Sequence, residues 1–318
     1  MSGAVIKKGL FRRSLPWAAT MLVTVLIAGW LFYDRDYAGY FQERRGTFAG
    51  ATVSAVSEHA GLEKSWLTVK SREGFVVECG MLTPPDDGYK HPAIILLGGK
   101  ATGKHAVDYA LDVTGVILVA VDYPYTPRDT YTITSFLGDV PAIRNALFDM
   151  IPSVMLVIDY LLTRGDVDSS KIVLLGYSFG APFVPCIIAH DRRPAVAAMV
   201  YGGGDMRSLI THNVRRYESE GISQFVGVLA GMLLHPLEPM RYIGRVSPTP
   251  LIMINGTEDE QVPRHNVELL YNAAGEPKSI TWLESRHVRP DNVHLTRSIL
   301  TELKRELRRR GISADGAR

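Results

Sequence analysis

The feature that most constrains the fold is a series of short, continuous apolar runs separated by helical stretches. Six runs have the length of strands and lie at 92–97, 116–121, 171–175, 195–201, 250–254 and 279–283. Unbroken apolar runs are typical of strands buried on both faces, and helices between them predict a parallel sheet covered on both sides. Ligands of such sheets bind at the carboxyl ends of the strands, so informative residues should directly follow each run.

Further elements flank these runs. The segments 65–70 and 74–82 alternate as a pair of strands would, and 295–310 has the apolar spacing of a closing helix. The segment 142–163 is also apolar at helical spacing, and Pro152 is expected to kink or interrupt that helix.

A candidate nucleophile follows the third run. The pentapeptide GYSFG, 176–180, stands between the strand at 171–175 and an apolar helical run. In a strand–turn–helix setting, G-x-S-x-G predicts a tight turn that strains the central serine and leaves room only for small residues two positions away. Ser178 is therefore the candidate nucleophile. The alternative is a passive serine in a glycine-rich turn.

A serine hydroxyl needs a base to remove its proton, and that base needs an orienting group. Three consecutive acids, Glu258, Asp259 and Glu260, follow the fifth run. His287 follows the sixth run, and His294 lies seven residues further on, where the last helix should begin. The residues alone leave the choice among the acids and between the histidines open.

Taken together, 61–310 resembles the α/β-hydrolase superfamily, near its dienelactone-hydrolase and acyl-esterase branches. The resemblance rests on the order serine, acid, histidine and on NGTEDEQVP, 255–263, which is similar to a G-x-x-D-x-x-V-P segment. It implies an α/β-hydrolase fold with Asp259 as the acid and His287 as the base. Arg286 departs from the small residue that usually precedes the base.

An acyl-transfer centre also needs donors for the oxyanion of the tetrahedral intermediate. The N–H of Phe179, directly after the nucleophile, is the first expected donor. By resemblance to a His-Gly-x loop, the second is the N–H of Lys100, with Gly99 as the alternative. No metal or organic cofactor is implied.

The same loop nearly matches a phosphate-binding motif. Residues 98–104 have the form G-x-x-x-x-G-K, but position 105 is histidine where a magnesium ligand, Ser or Thr, is required. The sequence therefore favours the hydrolase interpretation over nucleotide binding.

An insertion interrupts the alternation at about 205–247 and contains the apolar stretch 225–234. By resemblance it is a cap over the active site. Two interpretations of its apolar stretch stay open, ordinary core packing and a pocket for an acyl or hydrophobic leaving group.

The N-terminal part predicts a membrane anchor. Nineteen residues without a charge, 15–33, would span about 28 Å as a helix, close to the hydrocarbon core of a bilayer. Cations precede the run and aromatic residues mark its ends: Lys7, Lys8, Arg12, Arg13, Trp17, Trp30, Phe32 and Tyr33. The positive-inside rule then places the N-terminus in the cytosol and the catalytic domain on the other side. A cleaved signal peptide is the alternative.

The composition argues against a nucleic-acid-binding protein and against a disulfide-rich protein. Lys plus Arg number 35 against 33 Asp plus Glu, so net charge does not draw the chain to nucleic acid. Two cysteines are too few for a disulfide framework, and both Cys79 and Cys186 lie in apolar runs that predict burial.

The predicted organisation is a cytosolic N-terminus (1–14), an anchor (15–33), a connector (34–60), the hydrolase domain (61–310) and a tail (311–318). The function expected is a membrane-anchored serine hydrolase that cleaves a carboxylic ester or thioester of a small or lipid-like substrate through an acyl-enzyme on Ser178. A serine peptidase or an acyltransferase on the same fold, and a non-catalytic anchored binding protein, are the alternatives.

Overall fold

The computed structural model describes residues 35–100, 102–110, 113–125, 133–289 and 291–313. The chain divides into two compact units, Met1–Tyr37 and Ala38–Arg318. The predicted cytosolic segment 1–14 and anchor 15–33 lie outside the described residues.

Within the described ranges, the larger unit is built on a nine-stranded sheet. Its strands are β1 (Phe48–His59), β2 (Leu62–Ser71), β3 (Val76–Thr83), β4 (His91–Leu97), β5 (Ile117–Val121), β6 (Val167–Tyr177), β7 (Val196–Val200), β8 (Leu251–Gly256) and β9 (Lys278–Leu283). The order across the sheet is β1-β2-β3-β5-β4-β6-β7-β8-β9. The strands β1, β2, β3 and β5 pair antiparallel, and the pairs from β5 through β4 to β9 are parallel.

The six apolar runs are the six parallel strands, as predicted. Every residue of β4, β5, β7 and β8 is buried, which explains why their sequences lack polar alternation. Cys79 in β3 and Cys186 are also buried, which confirms the burial predicted for both.

Helices cover both faces of the sheet. They are α1 (Ala38–Arg45), α2 (Ile133–Leu161), α3 (Phe183–His190), α4 (Met206–Arg215), α5 (Glu220–Leu234), α6 (Pro239–Tyr242), α7 (Arg264–Ala273) and α8 (Val293–Arg309). The connection between β4 and β5 contains a 3-10 helix, Gly103–Tyr109, where the other parallel connections have α-helices. That 3-10 helix and α8 share one apolar core with one face of the sheet.

The long helix α2 corrects part of the prediction for Pro152, which was a kink or an interruption of the helix: the helix is not interrupted. It runs without interruption through Pro141 and Pro152. A proline inside a helix costs about 3 kcal/mol, but Ile151 and Val154 on either side of Pro152 are fully buried, and their packing favours a continuous helix. Among the described residues, Gly138–Leu161 is long and apolar enough to cross a membrane, yet 67% of its most apolar part is buried inside the protein.

The segment predicted as a connector belongs to the hydrolase unit from Ala38 onward. Phe41 of α1 is buried against Phe148 of α2, and Arg44 donates two hydrogen bonds to Asp149, at 2.8 and 2.7 Å. β1 follows and pairs with β2 at the edge of the sheet. The sequence does not predict this strand, because most residues of β1 are exposed and the strand therefore lacks an alternation of apolar and polar residues.

The insertion at 205–247 forms a helical hairpin of α4 and α5, followed by α6. The inner side of α5 carries small residues, because a Cβ on Gly227 would lie 1.8 Å from the hydroxyl oxygen of Thr211. Its outer side exposes Ile222, Phe225 and Met232. The apolar stretch 225–234 is therefore not ordinary core, since part of its apolar surface faces outward.

Candidate active site

The turn after β6 holds Ser178 in a strained conformation. Its backbone φ is +48°, in the left-handed region that side chains rarely adopt. A Cβ on Gly176 would lie 2.6 Å from the carbonyl oxygen of Gly180, and one on Gly180 would lie 2.2 Å from that of Leu97. The two glycines of the pentapeptide are therefore steric requirements of this turn.

The structure brings the predicted histidine to this serine. His287 Nε2 lies 2.7 Å from Ser178 Oγ. On the other side of the ring, Nδ1 lies 2.8 and 2.9 Å from the two carboxylate oxygens of Asp259. The side chains of His287 and Asp259 are only 4% and 2% exposed, so little water competes for these contacts.

Backbone groups hold the acid in place. Asp259 Oδ1 accepts hydrogen bonds from the N–H groups of Gln261 at 2.7 Å and Val262 at 2.9 Å. An ionised carboxylate only accepts, so His287 Nδ1 opposite it must donate. That tautomer leaves Nε2 free to accept the hydroxyl proton of Ser178.

The rival residues lie elsewhere. Glu258 is exposed, and His294 is exposed on the first turn of α8. Glu260 accepts the backbone N–H of His287 at 3.1 Å, so it supports the loop that carries the base. Its partial burial acts to raise the pKa, but backbone hydrogen bonds and the charge of Arg286 outweigh that effect, and the pKa of Glu260 is lowered. Arg286, the departure from the family pattern, is 73% exposed and 3.6 Å from Glu260, so it does not crowd the imidazole.

Two tyrosines were missed in the sequence. Tyr201, directly after β7, packs edge-to-face on His287 with ring centroids 5.5 Å apart, and it hydrogen-bonds Ser285. Its burial raises its pKa, so the phenol stays neutral beside the imidazole. Tyr123 packs edge-to-face on Phe179 at 5.1 Å, and its hydroxyl donates to the carbonyl of Gly98. Both tyrosines lie just after a buried strand, and that position could have identified them as candidate site residues in the sequence.

The expected oxyanion loop lies beside the serine. Phe179 follows Ser178 in the 3-10 turn Ser178–Gly180. Gly99 lines a cavity together with Ser178, whereas Lys100 is exposed. The carbonyl of Gly99 accepts hydrogen bonds from the backbone N–H and the hydroxyl of Thr102, at 3.0 and 2.9 Å, and these bonds fix the turn.

The lysine of the near-match to a phosphate loop is already paired. Lys104 Nζ lies 3.5 Å from a carboxylate oxygen of Asp122 and 3.9 Å from one of Glu78. A Cβ on Gly103 would lie 2.2 Å from Asp122, so that carboxylate fills the space beside the loop. Among the described residues, no group of three His, Cys, Asp or Glu side chains could hold a metal ion.

A cavity of about 170 Å³ opens beside Ser178. It lies between the sheet and α8, with side chains of β4, β5 and β6 on one side and Thr296, Leu300 and Leu303 on the other. Its described lining is mainly apolar and contains no residue of the cap at 205–247. The cap instead contacts the loop that carries Asp259. Asn213 of the cap donates a hydrogen bond to the carbonyl oxygen of Gln261 in that loop, at 2.7 Å.

The model of the family Peptidase_S9, the prolyl oligopeptidase family, matches residues 149–307, half of the 318-residue chain. The chain belongs to the prolyl oligopeptidase family. The match includes Ser178, Asp259 and His287, together with β6 to β9 and most of α8. The sheet that carries these residues has the α/β-hydrolase fold.

One curated relative is similar in sequence, and solved structures are similar in fold. "Uncharacterized protein YfhR" of Salmonella typhi is 30% identical over 139 residues, which are 43% of this chain and 45% of that protein. The chain thus matches less than half the length of that relative. Acetyl xylan esterase 1 from Thermoanaerobacterium sp. JW/SL YS485 superposes with a TM-score of 0.60 at 14% identity, over 85% of this chain and 94% of that one. A puromycin-hydrolyzing peptidase of Mycobacterium tuberculosis superposes with a TM-score of 0.56 at 17% identity, over 78% and 39%.

Proposed function

We propose that the protein hydrolyses a carboxylic ester or thioester through an acyl-enzyme on Ser178. The observation that carries this proposal is the continuous contact from Ser178 Oγ to His287 Nε2, 2.7 Å, and from His287 Nδ1 to Asp259, 2.8 Å. Nucleophile, base and orienting acid are thus within hydrogen-bond distance of one another, which is the arrangement that activates a serine hydroxyl.

In the acylation step, Ser178 Oγ attacks the carbonyl carbon while His287 Nε2 takes the hydroxyl proton. The carbonyl oxygen becomes an oxyanion, and the N–H of Phe179 and one from Gly99 or Lys100 are the proposed donors. Collapse of this intermediate breaks the bond to the leaving group, and His287 returns the proton to the departing alcohol or thiol. The acyl group is then bound to Ser178.

Deacylation repeats these roles with water. His287 removes a proton from the water that attacks the acyl carbon, and it then protonates Ser178 Oγ as the bond to the acyl group breaks. The products are a carboxylic acid and the restored serine. Asp259 orients the imidazole throughout and stabilises the imidazolium, without itself taking the proton.

A fluorophosphonate probe and p-nitrophenyl acetate test this function together. The full-length wild type should be labelled and should release p-nitrophenol, and Ser178→Ala should do neither while keeping its thermal midpoint. Equal labelling or equal turnover by Ser178→Ala, or an unreactive wild type, would contradict the proposal. Ser170→Ala is the matched control, because Ser170 is exposed and its hydroxyl donates to Asp168.

A serine peptidase is the second candidate, and membership in the prolyl oligopeptidase family favours it. The same three side chains would then act on an amide, with His287 protonating the leaving amine. Internally quenched peptides assayed beside p-nitrophenyl esters separate the two candidates. Cleavage of peptides with kcat/KM above that for every ester would make the peptidase the better description.

We also propose that residues 15–33 anchor the enzyme in a membrane with its N-terminus in the cytosol. The nineteen uncharged residues and the cations before them support this proposal. A reporter fused after residue 318 should be active only on the non-cytosolic side. Activity only in the cytosol, or recovery of the protein without detergent after alkaline extraction of membranes, would contradict it.

A further inference from the structure

The cavity between the sheet and α8 has no counterpart in the reaction steps above, which need only the groups at its mouth. Ser178 and the oxyanion-loop residues Gly98 and Gly99 lie at one end of its lining. Leu118, Leu175 and Leu303, each nearly inaccessible to solvent, lie in the core that borders it. The space therefore extends from the reacting centre toward the interior of the domain.

The chemistry of the lining selects its occupant. Among the described residues that line the cavity, Arg289 is the only charged side chain, and it is exposed. Tyr177 is partly buried, and desolvation raises the pKa of its phenol, so the phenol is neutral as well. A charged group placed beside Leu118, Leu175 and Leu303, in the buried part of the lining, would lose its hydration and meet no charge on these side chains, a penalty of several kcal/mol. An uncharged apolar group gains from the same transfer.

The size of the cavity limits the length of the chain that it can hold. An engineered cavity of about 150 Å³ is large enough for benzene, which has six carbons. A volume of about 170 Å³ accordingly suits an acyl group of about six to eight carbons.

The cavity arises from the connection between β4 and β5. That connection contains the 3-10 helix Gly103–Tyr109, whose Ala106 and Tyr109 line the cavity. A 3-10 helix of seven residues covers less of the sheet than a longer α-helix would. On the opposite wall, Thr296, Leu300 and Leu303 recur at i, i+4 and i+7 and form one stripe of α8.

We infer that this cavity binds the acyl group of the substrate, and that the preferred substrates are esters or thioesters of uncharged, medium-chain apolar acids. The acyl group is the part that stays on Ser178 after the first step, whereas the leaving group takes a proton from His287 and departs to solvent. A space that extends into the core therefore suits the acyl group and not the leaving group. This inference rests on the proposed function.

The first measurement is the chain-length profile of the full-length protein in a fixed detergent, with p-nitrophenyl esters from acetate to laurate. The value of kcat/KM should rise about two- to fourfold for each added methylene, since burying one contributes up to about 0.8 kcal/mol. It should reach a maximum at hexanoate or octanoate and fall beyond decanoate. A flat profile, or one that rises steadily to laurate, would overturn the assignment.

The second measurement fills the cavity. Thr296→Trp and Leu300→Trp replace two partly exposed side chains of the lining stripe and should each lower the ratio of octanoate to acetate kcat/KM at least tenfold. Thr301→Trp is the matched control, because Thr301 lies on the same helix, is exposed, and also bonds the carbonyl four residues before it, as Thr296 does. It should change the ratio less than twofold.

The outcomes separate the two proposals. If Ser178-dependent ester hydrolysis is present but both tryptophan variants keep the wild-type ratio, the acyl site is wrong and the proposed function stands. If the wild type hydrolyses no ester and Ser178 is not labelled by fluorophosphonate, the proposed function itself fails. Titration with the fluorophosphonate counts active molecules, so a poorly folded variant is not mistaken for a filled cavity, and either tryptophan variant suffices for the test.

Discussion

Two apolar regions of this protein differ in the direction that they face. The cavity beside Ser178 presents apolar side chains of the sheet and α8 to a partly open space between them. The cap helix α5 presents Ile222, Phe225 and Met232 to its outer side, while its small residues pack on α4. The cap contributes no residue to the described lining of the cavity. An apolar segment that lies between active-site residues in the sequence therefore need not line the pocket of that active site.

The comparison assigns different roles to the two regions. Variants at the reacting groups should abolish turnover, variants inside the cap hairpin should change stability, and variants on the outer face of the cap should change neither. Only the cavity should control which acyl chain is used.

The largest effect is expected at the acid. Asp259→Asn keeps the shape of the side chain but can donate to His287 Nδ1, which favours the tautomer that cannot accept the proton of Ser178. We expect kcat to fall about 10⁴-fold with p-nitrophenyl hexanoate. Glu258→Gln, at the exposed neighbouring acid, should keep kcat within about twofold. Equal losses in the two variants would mean that the acid is wrongly assigned.

The next effect is on stability and lies in the cap. Gly227→Ala should lower the free energy of unfolding by about 1–3 kcal/mol, because its Cβ would overlap Thr211 at the interface of α4 and α5. Gly221→Ala in the same helix meets no atom within 4 Å and should be neutral or stabilising by up to about 1 kcal/mol. Denaturant unfolding of the pair measures this difference. A stable Gly227→Ala would show that the hairpin packs otherwise.

A smaller effect is expected from Glu260, a positioning residue. Glu260→Ala removes the acceptor for the backbone N–H of His287, and an unsatisfied buried donor costs about 1–3 kcal/mol. We expect kcat to fall about tenfold with KM little changed. Glu260→Gln retains an acceptor oxygen and should recover most of the activity. Failure of the glutamine variant to recover it would point to the charge of Glu260 rather than its hydrogen bond.

The smallest effect is expected on the outer face of the cap. Phe225 is 68% exposed, so Phe225→Ser should change the free energy of unfolding by less than about 0.5 kcal/mol. It should also leave the ester chain-length profile unchanged. A shift of that profile as large as the one from Thr296→Trp would remove the distinction between the two apolar regions.

The sequence predicted the parallel sheet and the residues of the candidate site for a common reason. Buried parallel strands read as continuous apolar runs, and the groups at their carboxyl ends follow directly in the chain. Ser178 and His287 could be found in this way because each stands just past such a run. The resemblance to α/β-hydrolases then selected Asp259 from its two acidic neighbours, and the structure brings Asp259, rather than either neighbour, to His287.

Other features depend on contacts between distant residues and left little trace in the sequence. β1 is an exposed edge strand without an apolar alternation, so the sequence predicts a connector in its place. The continuity of α2 through Pro152 depends on the burial of its neighbours, which no local pattern reveals. The packing of Tyr201 on His287 joins two residues 86 positions apart. The cavity, likewise, is formed by segments from β4 to α8 and could not be read from any one of them.

The most direct test of the central claim is the location of the acyl group during turnover. The wild type is mixed with excess p-nitrophenyl hexanoate, quenched with acid within the pre-steady-state burst, digested and analysed by mass spectrometry. The account predicts a hexanoyl adduct on the peptide that carries Ser178, and its absence in Ser178→Ala. An adduct on another residue, or rapid p-nitrophenol release with no adduct at any quench time, would contradict the account.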